Sequence, residues 1–83
     1  MERLNVRALA IAGGVVWALA MLFIGWTSWL FDWGTGFVSL MSSIYLGFKP
    51  TFAGAVIGAL WALIDGALAG ALIAWVYNKA AGK

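Results

Sequence analysis

FAGAVIGALWALIDGALAGALIAWVY, residues 52–77, is apolar from end to end except for one carboxylate, Asp65. Roughly 20 apolar residues carry an α-helix across the hydrocarbon core of a bilayer, so this stretch is long enough to span with some tilt. Within it Gly54, Gly58, Ala62, Gly66 and Gly70 recur at every fourth position. A small-xxx-small series lets a second helix backbone approach closely. That matters in lipid, where acyl tails are as apolar as leucine and only close fit and interhelical hydrogen bonds favour association.

Outward from this stretch, residues 8–31 form a second run, with no charge at all. The pair predicts an all-α membrane protein: a two-span transmembrane helical hairpin forming a single membrane domain. The first helix is expected over residues 8–31 and the second over 51–77, with 78–83 as a cytoplasmic tail. A cleavable signal peptide is the competing reading of the first run, because Arg3 and Arg7 precede it and Ala18-Leu19-Ala20 is an A-x-A triplet. Signal cores are shorter, however, and this run continues well past the triplet. Ala10, Gly14 and Ala18 repeat the four-residue spacing, and Gly13 and Gly25 add low-relief positions. The expected helix-packing surface is therefore Gly14, Ala18, Gly54, Gly58, Ala62, Gly66 and Gly70, used between the two spans and also toward a neighbouring copy in a homo-oligomer.

Composition agrees with membrane residence. The 83 residues are 65% hydrophobic and 10% charged, against about a quarter charged in soluble domains. The charges are Arg3, Arg7, Lys49, Lys79 and Lys83 against Glu2, Asp32 and Asp65, a formal +2. No basic cluster suits a phosphate backbone, so nucleic acid is not an expected partner. The absence of Cys and His removes disulfides, thiolate chemistry and the usual zinc and haem ligands. Glu2, Asp32 and Asp65 fall at three different depths and the serines have no base, so no catalytic constellation can be assembled and no enzyme activity is expected. No cofactor, metal site or small-molecule substrate is evident either.

Arg3 and Arg7 flank the first span and Lys79 and Lys83 follow the second, while the connection carries Lys49 offset by Asp32. Basic residues are retained on the cytoplasmic side, so both termini are expected in the cytoplasm of a protein of the inner membrane. Trp26, Trp29 and Trp33 near the outer end of span one, and Trp75 and Tyr77 near the inner end of span two, suit anchors at the two interfaces. Trp17 and Trp61 sit deeper and read as packing residues. In the outer connection, residues 32–50, the apolar residues Phe37, Leu40, Met41, Ile44 and Phe48 fall at helical intervals. They predict a short amphipathic helix over about 37–46 lying in the outer interface, with an ordered loop packed on the spans as the competing reading, Thr35 as N-cap and Pro50 in the first turn of span two.

Asp65 lies within roughly 40° of Gly54, Gly58, Trp61, Ala69 and Leu72 at about 100° per residue, so it is expected to point into protein. A charge at mid-bilayer costs about 2.5–3.5 kcal/mol on insertion scales. Neither span holds a cation, which leaves Thr27, Ser28, the Trp61 N–H, backbone, water or the Asp65 of another copy as partners. Three roles follow: a hydrogen bond that sets the register of an oligomer, a polar lining of a pore, or a proton carrier.

Residues 49–79, KPTFAGAVIGALWALIDGALAGALIAWVYNK, resemble a family of very small two-span bacterial and archaeal membrane proteins known as holin-like. The likeness is carried by Lys49-Pro50-Thr51-Phe52, Gly54, Gly58, Trp61, Asp65-Gly66, Trp75 and Tyr77-Asn78, and extends over Leu4-Asn5-Val6 and the first span. The resemblance implies an inner-membrane protein, both termini cytoplasmic, that oligomerises and opens a pore or lesion through which a lytic enzyme leaves. The alternative is a structural or accessory subunit of a larger membrane protein complex. The hairpin with Asp65 midway along its second helix also resembles the proteolipid c subunit of rotary ATP synthases, which implies a proton-carrying ring. The connection FDWGTGFVSLMSSIYLGFKP lacks the short Arg-(Gln/Asn)-Pro loop of that family, and the expected topology is inverted relative to it.

Overall fold

The computed structural model describes residues 3–82; Glu2 and Lys83, used above in reading the charges, lie outside them. The described chain is all helical. Helix α1 is Val6–Phe31, α2 is Thr35–Ser42 and α3 is Phe52–Ala80. Asn5 caps α1 by accepting from the Ala8 N–H at 3.0 Å, and Thr51 caps α3 by accepting from the Gly54 N–H at 2.9 Å. Each cap satisfies one of the donors that a helix start leaves open. Pro50 therefore stands before α3 and not in its first turn. The short helix begins at Thr35 with Gly34, in the left-handed region at φ 85°, as its N-cap. Residues 43–46, expected to continue that helix, turn instead.

Two helices, α1 and α3, are long and apolar enough to cross a membrane. Only 17% and 22% of their most apolar windows are buried, unlike core helices of a soluble protein. They lie along each other in a rod of about 46 × 18 × 18 Å. Leu63 and Ala67 close on Gly14, and the backbones of Gly13 and Gly66 touch: a Cβ on Gly13 would stand 2.5 Å from the Gly66 carbonyl oxygen. At the far end Asn78, buried, accepts from the Leu4 N–H at 2.8 Å and donates to the Leu4 carbonyl at 3.0 Å. That double bond ties the chain's start to the end of α3, a role its place in the expected tail did not suggest.

The small-residue series is closed inside the chain. Gly54, Gly58, Ala62, Gly66, Gly70, Ala74 and Asn78 are all buried. Each step of four residues advances about 40° around a helix, so this stripe winds through roughly 240° from Gly54 to Asn78. One neighbour cannot follow it. Gly13, Trp17, Leu9 and Ala10 of α1 cover Gly66 and Gly70, whereas Phe48 and Lys49, from the connection, cover Gly58 and Gly54. The face expected to remain for a second copy is thus occupied from within.

The connection packs against α1 and α3, with Phe37, Met41 and Phe48 of the expected apolar stripe turned inward and Leu40 and Ile44 outward. Val38, Tyr45 and Phe48 are buried in one cluster with Met21 and Ala62, and Phe37 and Met41 pack against it, while Leu40 and Ile44 face outward. Phe48, fully buried, sits in a notch between Gly25 and Gly58. Tyr45 stacks on Trp61 with ring centroids 6.3 Å apart, which places it about 14 Å along α3 from its first residue. After α2 the chain therefore reaches far down the helix pair before returning to Thr51.

A Cβ on Gly66 would strike the Gly13 carbonyl and Trp17, whereas one on Gly36 in α2 would meet nothing within 4 Å. Gly66→Ala is expected to lower unfolding stability by about 1–3 kcal/mol through overpacking. Gly36→Ala should leave it unchanged or raised by up to about 1 kcal/mol through helix propensity. Titration of the detergent-solubilised protein with a denaturing detergent, followed by circular dichroism, measures both.

Candidate functional site

The site is built around Asp65, about 20 Å along α3 and so close to its middle. The Tyr45 hydroxyl donates to Asp65 Oδ2 at 2.5 Å, and the Trp17 indole N–H donates to the Tyr45 hydroxyl oxygen at 2.9 Å. One donor thus comes from α1, the relay from the connection and the acceptor from α3. A hydroxyl both gives and accepts, so Tyr45 satisfies the indole and the carboxylate at once. Trp61 completes the arrangement by donating to the Leu46 carbonyl at 2.8 Å while its ring lies almost parallel to that of Tyr45. Two indole N–H groups hold the connection down against the pair.

Three of the expected partners of Asp65 are engaged elsewhere. The Thr27 hydroxyl bonds to the carbonyls of Ile24 and Trp33, Ser28 pairs with Thr35, and the Trp61 N–H goes to Leu46. Thr35, expected to cap α2, instead donates to Asp32 Oδ1 at 2.6 Å and steadies the left-handed turn at Asp32, φ 54°. Nor does Asp65 point fully inward. It stands on the flank of the buried stripe, exposed in the single chain, with Oδ2 bonded and Oδ1 without a hydrogen-bond partner among the described residues. A groove of about 450 Å³ runs from it between α1 and α3 toward Leu9 and Ile73.

Gly14 is buried on α1, and Ala18 lies half-buried against the central cluster. The expected interface anchors fall at opposite ends of the rod. Trp26 stacks on Phe52 at 5.4 Å and Trp29 meets the same ring edge-on, while Trp33 meets Phe23 edge-on. At the other end the Lys79 ammonium lies 5.8 Å from the Trp75 ring, and Tyr77 is half-buried. Tyr45, the residue that sequence reasoning missed, carried one signal: a carboxyl without a donor in either span, and a tyrosine in the connecting segment.

Comparison with known proteins finds no matching family model, no similar curated protein and no similar solved structure.

Tyr45→Phe removes the donor to Asp65 and strands the Trp17 N–H while keeping the ring. The expected loss is about 1–3 kcal/mol, the usual cost of leaving a polar group without its partner, read from the same detergent unfolding. Unchanged stability would mean that the hydroxyl holds nothing.

Proposed function

We propose that the chain is a small integral membrane protein of the cytoplasmic membrane. It has two spans, both termini cytoplasmic and a connection folded back beside them, and it works in the holin-like manner by assembling with copies of itself into an oligomer that opens a pore or lesion. Membrane residence is supported by the outward side chains of both helices, which are large and apolar along most of their length, with small residues turned inward. That is the arrangement lipid favours, because close backbone contact and not apolar burial holds helices together there.

Assembly is carried by one observation. Ile57, Leu60, Trp61 and Ile64, spaced i, i+3, i+4 and i+7 on α3, line a shallow hollow of about 230 Å³ open to the outside. Four residues in that spacing form the hole into which a knob from a facing helix fits. Leu60 and Ile64 are 59% and 61% exposed, so no part of the described chain fills it. The contact surface is therefore moved from the glycine positions to this face.

Leu60→Ala with Ile64→Ala is expected to remove higher-order species trapped by crosslinking in native membranes, while the exposed control Leu19→Ala on α1 keeps them. Overexpression of the unaltered protein should depolarise the cytoplasmic membrane, read with a potential-sensitive dye, and the double variant should not. Intact potential at equal levels of inserted protein would overturn the lesion reading. Recovery in mild detergent with unrelated subunits at fixed ratio would replace it by the accessory-subunit reading.

A further inference from the structure

The groove beside Asp65 has the features of a ligand site. It lies between α1 and α3, walled by Leu9, Val16, Trp17, Asp65, Ala69 and Ile73. Its volume, about 450 Å³, falls within the range of small-molecule clefts, roughly 300–1,000 Å³. Its floor is the Gly13, Gly66 and Gly70 backbone, so the small residues that bring the helices together also leave the hollow beside their contact. The hollow lined by Ile57, Leu60, Trp61 and Ile64 lies across α3 from Gly66, Ala69, Gly70 and Ile73 at about 100° per residue, with Asp65 between the two, and the surfaces share no lining residue.

Charge decides what fits. Among the described residues, Asp65 is the one ionisable group on the groove wall. Tyr45 holds one carboxyl oxygen in place, and the other has no hydrogen-bond partner among the described residues. Trp17 is fixed by its N–H bond to Tyr45, and an indole ring beside a carboxylate attracts a cation through its face as well as through the charge. All other lining is aliphatic or glycine, and about 12 Å of α3 separates Asp65 from Ile73. The complementary molecule has a cationic head and an elongated apolar body, and it reaches the groove from the surrounding lipid.

A second copy of the chain is a poorer occupant. The basic residues Arg3, Arg7, Lys49 and Lys79 all lie outside the helices or in their first or last two turns, so a neighbouring helix brings no cation to mid-length. The floor glycines are also taken up by contacts between α1 and α3, Gly13 with Gly66 and Gly70 with Leu9, so they are not free for the close approach another backbone would need.

We propose that the groove between α1 and α3 binds an amphiphilic organic cation, its ammonium head on Asp65 and Trp17 and its apolar body along Leu9 and Ile73. This goes beyond the assembly reading and rests only on its membrane placement.

The test uses the full chain in nanodiscs of zwitterionic lipid with decyltrimethylammonium as probe, and decanol and decyl sulfate as neutral and anionic controls. Binding is followed by the Trp17 indole N–H resonance in ¹⁵N NMR. The ammonium should shift that resonance saturably and the two controls should not. Asp65→Asn keeps the shape and an acceptor for Tyr45; with helix content and melting unchanged, it should weaken binding at least about tenfold. Ala69→Phe, which fills the groove without altering the carboxyl, should abolish the shift. Equal saturation by Asp65→Asn, or an equal response to decanol, would overturn the proposal. So would non-saturable binding combined with a change of crosslinked species in Asp65→Asn, which would assign the groove to a second copy. Loss of the Leu60 and Ile64 contact leaves this outcome untouched, so the two readings fail separately.

Discussion

A carboxyl group halfway along an apolar helix needs a donor, and in this chain the donor comes from neither of the two long helices. It is Tyr45, delivered by the segment between them, and its hydroxyl also takes up the Trp17 N–H. The need for that bond explains why a connection rich in apolar residues does not spread over the end of the helix pair. A second indole, Trp61, fastens the next carbonyl at Leu46, so both polar ties lie well below the point where α3 begins. Phe48 then fills the notch between Gly25 and Gly58 on the way back up.

The same geometry accounts for the glycine spacing. A stripe repeating every fourth residue drifts about 40° per step, and over the length of α3 it turns away from any straight neighbour. Helix α1 meets its lower part, where Gly13 lies against Gly66 and Leu9 against Gly70; Phe48 and Lys49 meet its upper part. The connection thus serves as a third strand of packing over half the rod. What the stripe leaves over is a groove on one flank, with Asp65 at its head, and on the other side an outward face of bulky residues.

Much of this was legible beforehand. Residues 8–31 and 51–77 read as two apolar helices that pack through small residues, because uncharged length and four-residue spacing are local properties of the chain. The connection is legible only in part: Phe37, Met41 and Phe48 pack inward, whereas Leu40 and Ile44 do not and Val38 and Tyr45 take their place. Phe37, Leu40, Met41, Ile44 and Phe48 make one helical stripe and Val38, Met41, Tyr45 and Phe48 make another, and periodicity alone cannot choose between two apolar faces of one short segment. The choice is made by long-range partners: a carboxylate on α3, an indole on α1 and a gap over Gly58. Asp65 was placed from its angle to the glycines, yet the stripe drifts, so the residue stands at its edge and opens on the groove. Asn78 looked like part of a tail because its partner, the Leu4 backbone, lies at the opposite end of the sequence.

The central claim is that the connection is folded down beside the two long helices, held by Tyr45 and Trp61, and so lies within the bilayer in the membrane placement proposed above. Leu46 tests it most directly, since its side chain is 70% exposed on the protein surface and only lipid can shield it. The chain has no cysteine, so single cysteines at Leu46 and Trp33 can be challenged with a water-soluble maleimide in membrane fragments open to reagent on both faces. The account predicts that Trp33→Cys is labelled at once and Leu46→Cys only after detergent is added. Equal labelling of both before detergent would contradict it, placing the connection in water or at the interface.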